Sequence, residues 1–297
     1  MTSLVLTLVA QREATVLTPS TIALARDIVS GMGEATVLSA GEAVDIPCPA
    51  TAWDRLPDLR EALGTQQVDP ILTPAEGRRK MLLVSDMDST IVANETLDDM
   101  ARLAGLGDKV AAITARSMNG ELDFASSLNE RVALLRGLPA TLLEQAWADV
   151  TLNTGAVALV RTMKAHGART ALVSGGFTYF TARVGALCGF DEHHANTLHL
   201  SDDSATLTGT VEQPVLGPDT KLRLLNTLAD SLKLPVSAAL AIGDGANDLP
   251  MLGAAGLGLA FHAKPVVRHS IASQINHSSL RAALFAQGYP ASVFVEG

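Results

Sequence analysis

The chain has 297 residues, of which 47% are hydrophobic, with 31 acidic against 22 basic side chains and a net charge of −9. That apolar content supports a sizeable core and excludes a disordered chain. With no basic run beyond Arg78-Arg79-Lys80, the acidic balance excludes a nucleic-acid surface.

In chain order, the first predicted elements are a strand at 3–9, a helix at 21–31 and a strand at 35–40. "TPST" supplies an N-cap at Thr18 with Pro19 at N1. Pro47, Pro49 and Pro57 punctuate a second half with a helical stretch at 56–63 and a strand at 68–72. "TPAEGRR" (73–79) reads as a linker, so residues 1–75 form a small N-terminal α+β domain.

Residues 76–297 alternate short apolar strands with helices, the pattern of a Rossmann-like parallel α/β sheet. The strands are predicted at 81–85, 168–173, 238–242 and 257–261. Residues 95–153 are helical in period and too long for one crossover, so they read as a cap inserted after the first core strand. The core is then 76–94 plus 154–297, with a β-hairpin at 197–211. His193-His194 reads as a loop feature without a third metal ligand.

Cys48 and Cys188 lie far apart outside any CxxC, which indicates neither a disulfide framework nor a zinc site. The apolar start lacks a basic n-region and an A-x-A site, and no run reaches about 18 apolar residues, so the expectation is a cytoplasmic protein.

Ligands of open α/β sheets bind beyond the carboxyl ends of the strands. Three predicted strands end there in "DMDST" (86–90), "SGG" (174–176) and "GDGAND" (243–248). If these tips adjoin, Asp86, Asp88, Asp244 and Asp248 converge. Two unit charges about 4 Å apart repel by roughly 4 kcal/mol at an effective dielectric near 20. Either the acids are protonated or a cation sits among them, and oxygen ligands without His or Cys favour Mg²⁺. Its ligand set would be the Asp86 and Asp244 side chains, a backbone carbonyl near Asp88, water and phosphate. Asp86 can act as a nucleophile, Asp88 as general acid and base, and Ser174, Gly175-Gly176 at a helix start and Lys221 as phosphate donors.

"DMDST", "SGG", a lone Lys221 and "GDGAND", in that order, resemble the four motifs of the haloacid dehalogenase superfamily of phosphohydrolases. "DMDSTIVANET" and "ARSMNGELDFASSLNERVALLRG" resemble its phosphoserine phosphatase family in particular, over about residues 80–290. The resemblance implies hydrolysis of O-phosphoserine through an aspartyl-phosphate, the last step of serine biosynthesis. It implies Asp86, Asp88, Ser174 and Lys221 as catalytic, and Asp86, Asp88 (through its backbone) and Asp244 as Mg²⁺ ligands. Glu95, Met118, Phe124, Arg131, Ser174, Gly175, Lys221 and Asn247 would bind substrate, supported by Asp248 and Thr90.

It also implies an ACT-like regulatory domain at the N-terminus, with an amino-acid effector as partner. A homodimer stays open. So do two other functions: a phosphatase for another small phosphomonoester, and an amino-acid sensor with an inactive core. Rival motifs fail. "DGANDLPM" has Ala246 at the third EF-hand position, "GLGLAF" lacks the third dinucleotide glycine, and there is neither a nucleophile elbow nor a P-loop.

Overall fold

The computed structural model describes residues 3–118 and 121–296. The N-terminal part runs β1 (Leu4–Ala10), α1 (Pro19–Ile28), β2 (Thr36–Ser39), β3 (Ala43–Cys48), α2 (Leu56–Gly64) and β4 (Val68–Pro74). Thr18 accepts the Thr21 N–H and Pro19 opens α1, as the cap sequence predicts. The four strands form an antiparallel sheet in the order β2-β3-β1-β4, a split β-α-β arrangement. In β1, Leu4, Leu6 and Leu8 pack with Leu59 and Leu63 of α2. Thr7 and Val9 point to the opposite face, which the rest of the molecule covers. Both faces of β1 are therefore buried along all seven residues, with Thr7 as its one polar side chain.

The segment read as a linker is a clamp. Strand β4 runs on to Pro74, and the Arg78 side chain is 13% exposed. Its guanidinium donates to both oxygens of Asp45 on β3, at 2.6 and 3.0 Å, and to the carbonyls of Phe285 and Ala286 at 3.3 Å. Fully buried Asp69 on β4 accepts the N–H groups of Asn276, His277 and Ser278 and the Ser278 hydroxyl. Arg281 pairs with Glu42. These contacts tie the N-terminal sheet to residues 276–286 across more than 200 positions of sequence, which no local pattern reports.

The rest of the chain continues as β5 (Leu82–Ser85), then α3 (Thr96–Leu103), α4 (Gly107–Met118), α5 (Phe124–Ala133) and α6 (Thr141–Ala148) of the helical insertion. It returns through α7 (Ala156–Ala165), β6 (Arg169–Phe177), α8 (Thr178–Cys188) and β7 (Glu192–Asn196). A hairpin of β8 (Leu198–Leu200) and β9 (Leu207–Val211) precedes α9 (Pro218–Ser231) and β10 (Ala239–Gly243). Last come α10 (Leu249–Ala254), β11 (Leu257–Phe261), α11 (Pro265–Ser270), β12 (Ser273–Ile275) and α12 (Arg281–Phe285).

Six parallel strands lie in the order β12-β11-β10-β5-β6-β7. Helices α7, α8 and α12 cover one face, and α9, α10 and α11 the other. From β5 the chain winds outward through β6 and β7, then returns to β10 and winds the other way. The order therefore reverses between β5 and β10, the crevice where α/β sheets bind ligands.

Three strands escape the sequence reading: β3, β7 and β12. β3 carries Asp45 and Pro47 within its apolar run, and β12 is three residues long. β7 is "EHHAN", so His193 and His194 sit on an edge strand rather than in a loop. Its polar side chains are paired, His193 with Thr181 and His194 with Glu192, which an edge position allows. Among the described residues, no helix is long and apolar enough to cross a membrane.

Candidate active site

The carboxyl ends of β5 and β10 lie side by side. The Asp86 N–H donates to the Ile242 carbonyl at 2.9 Å, which sets Asp86 beside Gly243-Asp244. Asp86, Asp244 and Asp248 present oxygens within 4.8 Å of one another, at 5%, 5% and 0% exposure. Gly243 is what allows this approach, because a Cβ there would lie 2.4 Å from the Asp248 Cγ. Lys221, in the first turn of α9, reaches in with its Nζ 2.8 Å from Asp86 Oδ1 and 2.7 Å from Asp248 Oδ1. Burial alone would lower its pKa, but the two carboxylates outweigh burial and hold it charged.

Burial, and after it the Asp86 charge, pushes the carboxyls of both Asp244 and Asp248 upward. Three clustered aspartates share one fully buried cation, Lys221, so the cluster carries excess negative charge that a bound cation would offset. Asp86 Oδ2 and Asp244 Oδ1 take no hydrogen bond or ion pair among the described residues. Both Asp248 oxygens are committed, Oδ1 to Lys221 and Oδ2 to the Gly245 N–H. The donor set thus fits a hard oxygen-loving cation on Asp86 and Asp244, with Asp248 orienting Lys221.

Asp88 is held apart from that cluster. Its Oδ1 accepts the Thr96 N–H at 2.8 Å and its Oδ2 the Ser174 hydroxyl at 3.0 Å. Burial raises its pKa to about 6, with Asp86 adding to the push and the Thr96 N–H opposing it. Gly175 and Gly176 do not open a helix as expected. They lie within strand β6, which runs to Phe177, and α8 starts only at Thr178. The Gly176 N–H turns back to Ser174 Oγ at 2.8 Å. At Gly175 a Cβ would stand 2.8 Å from the Phe124 ring, so the absent side chain makes room for the cap residue.

Glu95, Phe124, Arg131, Gly175 and Asn247 line the same cleft of about 410 Å³ as Asp86, Asp88 and Asp244. Ser89 donates to Glu95 at 2.8 Å. The low-dielectric cleft and the Asp88 charge raise the Glu95 carboxyl to about 7. Half of this side chain meets solvent, which screens the charges around it. Burial lowers the Arg131 pKa, opposed by Asp98 and Glu95. Buried Thr90 anchors the cap connection, its carbonyl accepting Asn153 Nδ2 at 2.8 Å. The Met118 side chain lies outside the described residues.

Sequence reasoning missed Thr96, Thr114, Asn196 and Lys264. The Thr96 and Thr114 hydroxyls border the cleft without a hydrogen-bond partner among the described residues. Asn196 holds the Gly175 carbonyl and the Leu216 N–H, at 2.9 and 2.7 Å. Lys264 was legible in principle, because "FHAKP" follows the fourth predicted strand.

Residues 83–253 match the model of the haloacid dehalogenase-like hydrolase family. The phosphoserine phosphatase of Lactococcus lactis is 42% identical over 205 residues, 69% of this chain and 94% of that protein. The phosphoserine phosphatase of Streptomyces coelicolor is 44% identical over 236 residues, 77% of this chain but 57% of that protein, so the chain spans little more than half its length. The crystal structure of a HAD family hydrolase from Salmonella enterica serovar Typhi superposes with a TM-score of 0.86 at 31% identity, covering 96% of this chain and 98% of that one. Reversed strand order, acidic strand tips and the match over most of the core agree: this chain belongs to the haloacid dehalogenase-like hydrolases, in their phosphoserine phosphatase family.

Proposed function

We propose that the chain is a Mg²⁺-dependent phosphoserine phosphatase that releases serine and phosphate, the closing step of serine biosynthesis. One observation carries this reading: Glu95 and Arg131 border the same cleft as Asp86. O-phosphoserine carries an ammonium, a carboxylate and a phosphate, and this cleft offers an anion, a planar cation and a phosphate cradle for them.

In the proposed reaction an Asp86 oxygen attacks phosphorus, the bond from phosphorus to the serine oxygen breaks, and Asp88 gives that oxygen a proton. Asp88 then takes a proton from the water that cleaves the aspartyl-phosphate. A carboxyl held near 6 exchanges protons readily in both directions. Ser174, Gly175, Lys221 and Asn247 hold the phosphoryl oxygens, Phe124 covers the substrate, and Asp248 and Thr90 position their neighbours. The Asp86 and Asp244 side chains and the Asp88 carbonyl would hold Mg²⁺, which neutralises phosphoryl charge. A chelator is expected to abolish phosphate release, and added Mg²⁺ to restore it; undiminished release in excess chelator would refute the metal requirement.

Arg131→Ala is expected to raise KM for O-phosphoserine by roughly 10²-fold, the worth of a charged, partly buried hydrogen-bonded contact, and to spare an aryl phosphate. Equal losses on both substrates would favour a phosphatase for other small phosphomonoesters. For Glu95 the ionised form meets the ammonium. With a pKa raised to about 7, ammonium binding is complete above 7 and lost as pH falls through it. KM should climb below pH 7 in the wild type, and this limb should vanish in Glu95→Gln. A limb retained in that variant would assign the titration elsewhere.

An amino-acid effector at the N-terminal domain and a homodimer extend the proposal. A seam cavity of about 410 Å³, bordered by Gln11, Glu13, Asn153 and His277, is where an effector would touch both parts of the chain.

A further inference from the structure

Lys264 has no duty in the reaction proposed above, yet it stands at the mouth of the cleft where core meets cap. Its N–H donates to the Asp244 carbonyl at 2.9 Å and Pro265 follows it, so its backbone is pinned to the tip of β10. Its Nζ lies 3.4 Å from Asp244 Oδ2 and 3.8 Å from Glu95 Oε1. These two carboxylates have separate proposed partners, the divalent cation for Asp244 and the substrate ammonium for Glu95. One ammonium thus lies between the two points where positive charge must arrive.

Lys221 cannot take over this task, because it is committed to Asp86 and Asp248 and is 1% exposed. Lys264 is 52% exposed on a flexible stem, so it can leave at small cost. Its geometry toward both acids is that of an ion pair in contact with water, which is weak and exchangeable.

We propose that Lys264 is a displaceable place-holder, pairing with Glu95 and Asp244 in the free protein and yielding to the metal and to the substrate ammonium. When serine leaves, the side chain returns to Glu95 and opposes rebinding of the product amine. A phosphomonoester without an ammonium never competes for that position. The substrate half rests on the phosphoserine reading; the metal half does not.

The test compares full-length wild type, Lys264→Met and Lys264→Arg at low ionic strength. Free Mn²⁺ is titrated by electron paramagnetic resonance, and KM is measured for O-phosphoserine and for p-nitrophenyl phosphate at saturating metal. Lys264→Met is expected to bind Mn²⁺ about three- to fivefold more tightly and to lower the phosphoserine KM by a similar factor, the scale of an exposed ion pair. The aryl phosphate KM should stay put, and Lys264→Arg should behave as wild type. Weaker or unchanged Mn²⁺ binding in Lys264→Met overturns the place-holder at the metal. An unchanged or raised phosphoserine KM overturns it at the substrate. No turnover of O-phosphoserine by the wild type would instead refute the function proposed above, and the Mn²⁺ titration would still decide the metal half.

Discussion

Replacing Asp86 by Asn is expected to lower kcat for O-phosphoserine by at least about 10⁴-fold while leaving the fold intact. The loss follows from the two roles proposed for Asp86, attacking oxygen and metal-binding carboxylate, since an amide can neither form an aspartyl-phosphate nor carry charge to a cation. The fold should survive because the Asn oxygen can still accept the Met87 N–H and the Lys221 ammonium, as Asp86 Oδ1 does. One negative charge leaves a crowded cluster, so the thermal midpoint should hold or rise. Phosphate release under single-turnover conditions, with near-ultraviolet dichroism as a check on packing, measures both parts. Turnover above about one per cent of wild type, with the fold preserved, would remove Asp86 from the nucleophile's place.

The second large effect concerns stability. Arg78→Ala strips the buried Asp45 of its bidentate partner, leaving it the Thr7 hydroxyl, and removes one donor each from the Phe285 and Ala286 carbonyls, which keep the Gly288 N–H and the Thr73 hydroxyl. Breaking a buried pair by removing one partner costs about 3–5 kcal/mol, because the surviving charge stays desolvated. The exposed pair of Arg55 with Asp58 is the contrast, and Arg55→Ala should cost less than about 1 kcal/mol. Urea unfolding of the two variants separates these cases. If Arg78→Ala unfolds at the wild-type midpoint, Arg78 contributes nothing to the clamp between the N-terminal sheet and residues 276–286.

These variants also mark how far the sequence could be read. The strand at 82–85 and its two aspartates were legible because an apolar run followed at once by acids is a local pattern. Lys221 and Asp244 gained meaning only through the order of the motifs. Arg78 was misread as part of a linker because its partners, Asp45, Phe285 and Ala286, lie far away along the chain. β7 was misread because its run of consecutive polar side chains, Glu192, His193 and His194, on an edge strand gives no apolar signal.

By itself, the sequence determined the parallel core, the inserted helical cap and the acids at the strand tips, since periodicity and burial imprint themselves on neighbouring residues. Only the tertiary structure decided that Asp248 spends both oxygens on Lys221 and Gly245, that Lys264 bridges Asp244 and Glu95, and that strand β1 of the N-terminal sheet is buried on both faces. The physical reason is that a charge's partner is whatever the fold brings within a few ångströms, and segments far apart in the chain leave no mark of that meeting on each other's local pattern.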